Sequence, residues 1–210
     1  MSEHRKLAIG TKRLEGDLWN VEPARGLVVF AHGSGSSRYS RRNLQVAQTL
    51  QRRGLSTLLF DLLTADEAGD RSNVFDITLL GQRVLEALDA LPAPASDLPL
   101  GLFGASTGAA AALVAAASRP EIVQAVVSRG GRPDLALEHL GSVRAATLLI
   151  VGGSDAEVLG LNRSAYALLR CEKRIDVVPG ATHLFEEAGA LETVARLAGD
   201  WFLDHLHPAG

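Results

Sequence analysis

The segment that most restricts what this chain can fold into runs from Leu98 to Ala117. An uninterrupted apolar run, Leu98–Phe103, leads into Gly104-Ala105-Ser106-Thr107-Gly108, and then into alanine broken only by Leu113 and Val114. A strand without polar alternation is covered on both faces, as in the interior of a parallel sheet. The helix that follows has no polar face, and its small side chains let it lie close to that sheet. Ser106 stands at the turn between them, with small residues at 104 and 108 that let neighbouring backbone pass.

The same alternation recurs along the chain. Apolar runs at Gly26–Ala31, Leu55–Phe60, Ile122–Ser128, Ala146–Val151 and Arg174–Val178 alternate with stretches of helical periodicity. Those stretches are Arg42–Arg53, a stripe from Ile77 to Leu91, Ala156–Leu169 and Ala188–Leu206. The pattern predicts an α/β fold with a mostly parallel central sheet of about six strands and helices on both faces. Lys6–Asn20 is expected as a short strand or hairpin at the sheet edge. With 210 residues and no repeat or linker, one domain spanning 1–210 is expected. The least regular interval, Leu62–Val74, carries Asp66, Glu67, Asp70 and Arg71 and reads as a solvated charged loop. The alternative is the rim of a binding site, because ligands in such sheets sit where loops leave the carboxyl ends of strands.

Charge and cysteine content exclude several function classes. Lys+Arg at 21 against Asp+Glu at 24 supplies no broad positive field for nucleic acid or an anionic membrane. The start, Met1 to Thr11, carries Glu3, Arg5 and Lys6 rather than a signal-like apolar core, and no apolar run is long enough to cross a membrane. A cytoplasmic location is expected. The single cysteine, Cys171, reads as a small, partly buried apolar side chain, and no Cys/His cluster has metal-ligand spacing. Neither metal nor organic cofactor is expected, and the partner should be a small-molecule substrate.

A serine hydroxyl attacks well only when a base takes its proton, so Ser106 predicts a histidine brought near it. His183, in Pro179-Gly180-Ala181-Thr182-His183, is the one histidine that both leaves the carboxyl end of a predicted strand and follows Ser106 in the order Ser, acid, His. His4 falls in the N-terminal tail, His139 within Leu135–Leu140, and His205 and His207 at the C-terminal end. The acid that orients such a base should also leave a strand. Asp155, after Val151-Gly152-Gly153-Ser154, fits that position, and it also suits a helix N-cap. Asp134, after Arg129-Gly130-Gly131-Arg132-Pro133, is the competitor. The order Ser106, Asp155, His183 is that of a nucleophile-elbow hydrolase.

Phe30-Ala31-His32-Gly33, Gly104–Gly108, Gly152–Asp155 and Gly180–His183 together resemble the α/β-hydrolase superfamily, in its small, capless dienelactone hydrolase-like branch. The resemblance spans most of the chain. It implies a cofactor-free serine hydrolase working through an acyl-enzyme on Ser106, with Thr107 and Ser34 supplying backbone N–H groups to the oxyanion and Gly35 as an alternative to Ser34. His32 reads as structural, whereas Ser36, Ser37 and Arg38 are candidates to touch substrate. Dienelactone hydrolases proper carry a cysteine where this chain has Ser106. Only Arg129–Arg144 is available for a lid, so an open site for short acyl groups and small soluble esters is expected. Lactone, thioester or amide hydrolysis by the same mechanism is the alternative, as is a non-catalytic ligand-binding member of the fold.

Overall fold

A computed structural model of the chain describes residues 3–208. Six strands run parallel: β3 (Gly26–Ala31), β4 (Leu55–Phe60), β5 (Leu100–Ala105), β6 (Val123–Arg129), β7 (Ala146–Gly152) and β8 (Lys173–Val178). A hairpin of β1 (Glu3–Ile9) and β2 (Leu14–Asn20) joins them antiparallel through β2 and β4, giving the order β1-β2-β4-β3-β5-β6-β7-β8. The expected count of about six therefore holds for the parallel part, and the whole sheet has eight strands. His4 lies in β1, stacked on Trp19, rather than in a tail.

Every residue of β3, β4, β5 and β7 is buried, including Ser56, Thr57 and Thr147, as their largely apolar runs require. On one face lie α1 (Arg41–Arg52) and α8 (Ala190–His205), packing Val46, Leu50, Val194 and Phe202 against Val28, Phe30, Phe103 and Leu148. On the other face lie α4 (Ile77–Asp89), α5 (Thr107–Ser118) and α7 (Ala156–Leu168). Thr107 through Ala116 of α5 are all buried. A side chain at Gly81 of α4 would run into Val114 of α5, so these two helices meet at a contact only glycine permits.

The structure corrects the reading of Leu62–Val74 as a solvated loop. It holds two short helices, α2 (Ala65–Ala68) and α3 (Arg71–Phe75). The Thr64 hydroxyl accepts from the Glu67 N–H at 3.2 Å, while the Glu67 carboxylate accepts from the Thr64 N–H at 3.0 Å. This reciprocal capping is written in the sequence as Thr64-Ala65-Asp66-Glu67. The other Glu67 oxygen accepts from Arg83 of α4 at 3.0 Å, which fastens α2 to the core. The Thr64 N–H, opposed by partial burial and aided by Arg83 and Lys12, holds the Glu67 carboxyl below its ordinary range.

Between β6 and β7 there is only a single 3-10 turn, Pro133–Ala136, and α6 (Leu137–Leu140), so the fold has no cap domain there. Cys171 is partly buried, with its sulfur 3.6 Å from the Thr147 hydroxyl. Among the described residues no helix is long and apolar enough to cross a membrane, and no His/Cys/Asp/Glu group could hold a metal ion.

Candidate active site

Ser106 occupies the turn between β5 and α5 with φ 52° and ψ −121°, a region that costs a residue with a side chain about 1–3 kcal/mol. The surroundings over-determine it. The Ser106 N–H donates to the Arg129 carbonyl at 3.3 Å, and the Ser106 carbonyl accepts from the N–H of Ala109 and of Arg132, both at 3.1 Å. A side chain at Gly104 would strike the Ala109 backbone, and one at Gly108 would strike the carbonyls of Ala31 and His32. Glycine at both positions is thus what allows the sharp strand-to-helix turn.

His183 lies in the loop between β8 and α8, and its Nδ1 is 2.8 Å from Oδ2 of Asp155, in the loop after β7. A carboxylate only accepts, so Nδ1 is the donor, and in the neutral ring the Nε2 lone pair is then free. Asp155 also caps α7, its Oδ1 accepting from the Val158 N–H at 3.4 Å. One carboxylate oxygen thus meets the His183 ring while the other caps the helix. Asp134 instead accepts from Arg132 at 2.8 and 2.7 Å. Ser106 and His183 line one cavity of about 170 Å³, together with Gly33, Ser34, Ser36, Ser40, Arg42 and Arg129.

Gly33 approaches Ala105 and Ser106 closely enough that an added Cβ would sit 3.1 Å from the Ser106 Cβ. This brings the β3–α1 loop, with Ser34, against the serine turn. His32 holds the loop from behind. Its Nε2 accepts from the Leu62 N–H at 3.0 Å, which places the proton on Nδ1, where it donates to the Gly33 carbonyl at 2.9 Å. Burial pushes the His32 pKa below its ordinary 6.5, outweighing the Gly33 hydrogen bond and the charge of Asp61, so the ring is neutral near pH 7.

Arg38 does not face the cavity as the sequence had suggested. Its guanidinium is surrounded by Asp61, Asp17 and Glu15, and its N–H donates to Asp61 at 2.8 Å, so it ties the end of the loop to β2 and β4. Ser36 and Ser37 do line a second, larger cavity of about 440 Å³. This cavity adjoins the first at Gly33, Ser34 and Ser36, and one part of its wall is apolar: Leu62, Leu63, Ala65, Ala68, Val74 and Leu80. The segment read as a charged loop is therefore a wall of the site. Asp66, Asp70 and Arg71 are exposed while Glu67 turns to Arg83 and Leu62 is buried, an alternation too short to register as a helical stripe.

Residues 22–131 match a family model described as serine aminopeptidase, S33. A dienelactone hydrolase of known structure from Anabaena variabilis is 51% identical, with a TM-score of 0.93 over 99% of each chain. The chain belongs to the α/β-hydrolase superfamily, in its dienelactone hydrolase-like branch. At much lower identity, Est1E from Butyrivibrio proteoclasticus shares the fold, with 15% identity and a TM-score of 0.81 over 96% of this chain and 98% of that one. Two Mycobacterium tuberculosis proteins that carry a phosphoribosyl transferase name are 58% identical over 206 residues, 97% of this chain and 46% of theirs. The chain thus spans about half the length of the curated relatives it matches.

Proposed function

We propose that this α/β-hydrolase is a serine esterase. Ser106 attacks the acyl carbon, His183 takes its proton at Nε2 and returns it to the leaving alcohol, and Asp155 holds the imidazole in the tautomer that leaves Nε2 free. Backbone N–H groups of Thr107 and Ser34 receive the oxyanion. The observation that carries the proposal is the bond from His183 Nδ1 to Asp155 beside a serine held in strained backbone, with Ser106 and His183 lining one cavity. A binding module needs none of these three groups together.

Two adjoining cavities meeting at Ser34 suit a substrate whose two arms diverge from the scissile carbonyl. The apolar wall of the larger one suits a short acyl or small alkyl arm. The phosphoribosyl transferase name attaches to proteins this chain matches over less than half their length. We therefore do not carry that name to this chain, which itself has the hydrolase fold.

Labelling with a fluorophosphonate probe tests the proposal. Covalent attachment at Ser106, together with turnover of a simple aryl ester, is expected. A folded protein that neither labels nor turns over small esters overturns it in favour of a binding role.

A further inference from the structure

Arg129 is the last residue of β6, and its register partner on β5 is Ala105, next to Ser106. Strand alternation puts its side chain on the face shared by Ala125 and Val127, the face covered by α1 and α8. It is 8% exposed, and its Nε and Nη1 are buried with no hydrogen-bond partner among the described residues. A guanidinium is donor-only and permanently charged near neutral pH, so burying it without a partner is costly. Its contact with the serine turn runs through the backbone carbonyl, which leaves the side chain free of that structural task.

The surroundings add positive charge. Arg42 lines the same cavity with its own Nε buried and unpartnered, while its Nη1 donates to Glu186 at 3.0 Å. Burial first, and the charge of Arg42 second, lower the Arg129 pKa to about 10, still well above neutral. The N-terminus of α1 opens onto the cavity through its cap Ser40, and its first turn holds no acid. His183, which also lines this cavity, is engaged through Nδ1 with Asp155.

We propose that Arg129, assisted by Arg42, forms an anion subsite beside Ser106, so that the ester cleaved at this site carries a carboxylate or phosphate on one arm and an apolar group on the other. The proposal rests on the serine hydrolase reading for its catalytic part, while anion binding itself does not. The two cavities divide the arms: the anion sits among the arginines of the smaller one, and the apolar arm lies against Leu62, Val74 and Leu80 in the larger one. An anion here would receive donors that otherwise have none, and would relieve the repulsion between the two cations.

The test compares matched ester pairs. 4-Nitrophenyl hemisuccinate and acetylglycolate, each against its methyl ester, present a carboxylate on the acyl side and on the alcohol side in turn. The wild-type enzyme is expected to favour the anionic member of at least one pair by about tenfold or more in kcat/KM, the scale of a hydrogen bond to a charged group. Arg129→Gln should bring that ratio towards one, and Arg129→Lys should keep part of it. Because the ratio is taken within one variant, partial loss of folding or of general activity does not imitate the result. Separately, succinate and inorganic phosphate are titrated against Ser106→Ala, which distinguishes a carboxylate site from a phosphate site. Saturable binding of either one, lost on adding Arg129→Gln, supports the subsite even if no ester is cleaved, in which case only the hydrolase reading falls. Cleavage without charge preference, and no saturable binding of either anion, overturns the subsite and leaves the hydrolase reading standing.

Discussion

His183 and Asp155 meet across 2.8 Å from loops that leave the adjacent strands β8 and β7, and Asp155 is at the same time the cap of α7. One carboxylate oxygen is fixed by the helix and the other is presented to the ring. The orientation of the imidazole is thereby built into the packing of a helix against the sheet. Asp155→Asn should lower kcat by up to about ten-thousandfold by stabilising the wrong tautomer, with little change in KM. Asp134→Asn, which removes half of a bond to Arg132, should cost far less. If steady-state kinetics on folded variants gave the reverse order, the acid would be Asp134.

Ser106→Ala should lower kcat for an aryl ester about a thousandfold or more. It should also raise stability slightly, since alanine has no hydroxyl to hold in the exposed turn, although the positive φ still strains it. Stopped-flow or steady-state assays beside thermal melts check both parts. Near-normal turnover of the folded variant would remove Ser106 from the mechanism.

Arg38→Ala should destabilise the fold by about 3 kcal/mol, because Asp61 and Asp17, both mostly buried, would be left facing each other without their cation. Loosening of the loop that carries Ser34 should lower kcat as well. Chemical denaturation measures the first effect. A loss below about 1 kcal/mol would show that solvent replaces the guanidinium.

His32 ties stability to pH with a definite sign. Its pKa is lower in the folded protein than its ordinary 6.5, so below about pH 6.5 the unfolded chain takes up a proton that the folded chain resists. The His32 contribution is complete above that pH and is lost as pH falls towards the folded value. Protonation would also abolish the acceptor for the Leu62 N–H. Between pH 7 and pH 5 the melting temperature of the wild type should therefore fall more steeply than that of His32→Gln. Parallel slopes would exclude His32 as a source of acid sensitivity.

The apolar wall formed by α2 and its neighbours should make catalysis respond to chain length. Each methylene that reaches Leu62, Val74 or Leu80 should contribute up to about 0.8 kcal/mol to kcat/KM, and the gain should stop once the cavity of about 440 Å³ is filled. A series from acetyl to palmitoyl esters measures this, with a maximum expected at short to medium acyl groups. A maximum at palmitoyl would require a larger binding surface than these cavities provide.

The strand–serine–helix turn, the alternation of buried strands with helices, and the placement of His183 and Asp155 at strand ends were all legible in the sequence, because each depends on residues adjacent in the chain or on a fixed period. The capping box at Thr64 and Glu67 is written in the sequence as well, but the mixed charge of the thirteen-residue interval Leu62–Val74 hid it and the apolar side chains that line the cavity. Only the tertiary structure decided which carboxylate reaches His183, since Asp155 and Asp134 both follow strands and differ in what they meet: the imidazole in one case and Arg132 in the other. It also decided that the β1–β2 hairpin extends the sheet at β4, that Arg38 turns into an acidic cluster instead of towards the cavity, and that Arg129 is buried beside Ser106 with no partner for its Nε and Nη1 among the described residues. Each of these is a question of which partner a group finds across tens of residues of chain. That is settled by packing, in which a side chain has one neighbour or another, and local residue order carries no record of it.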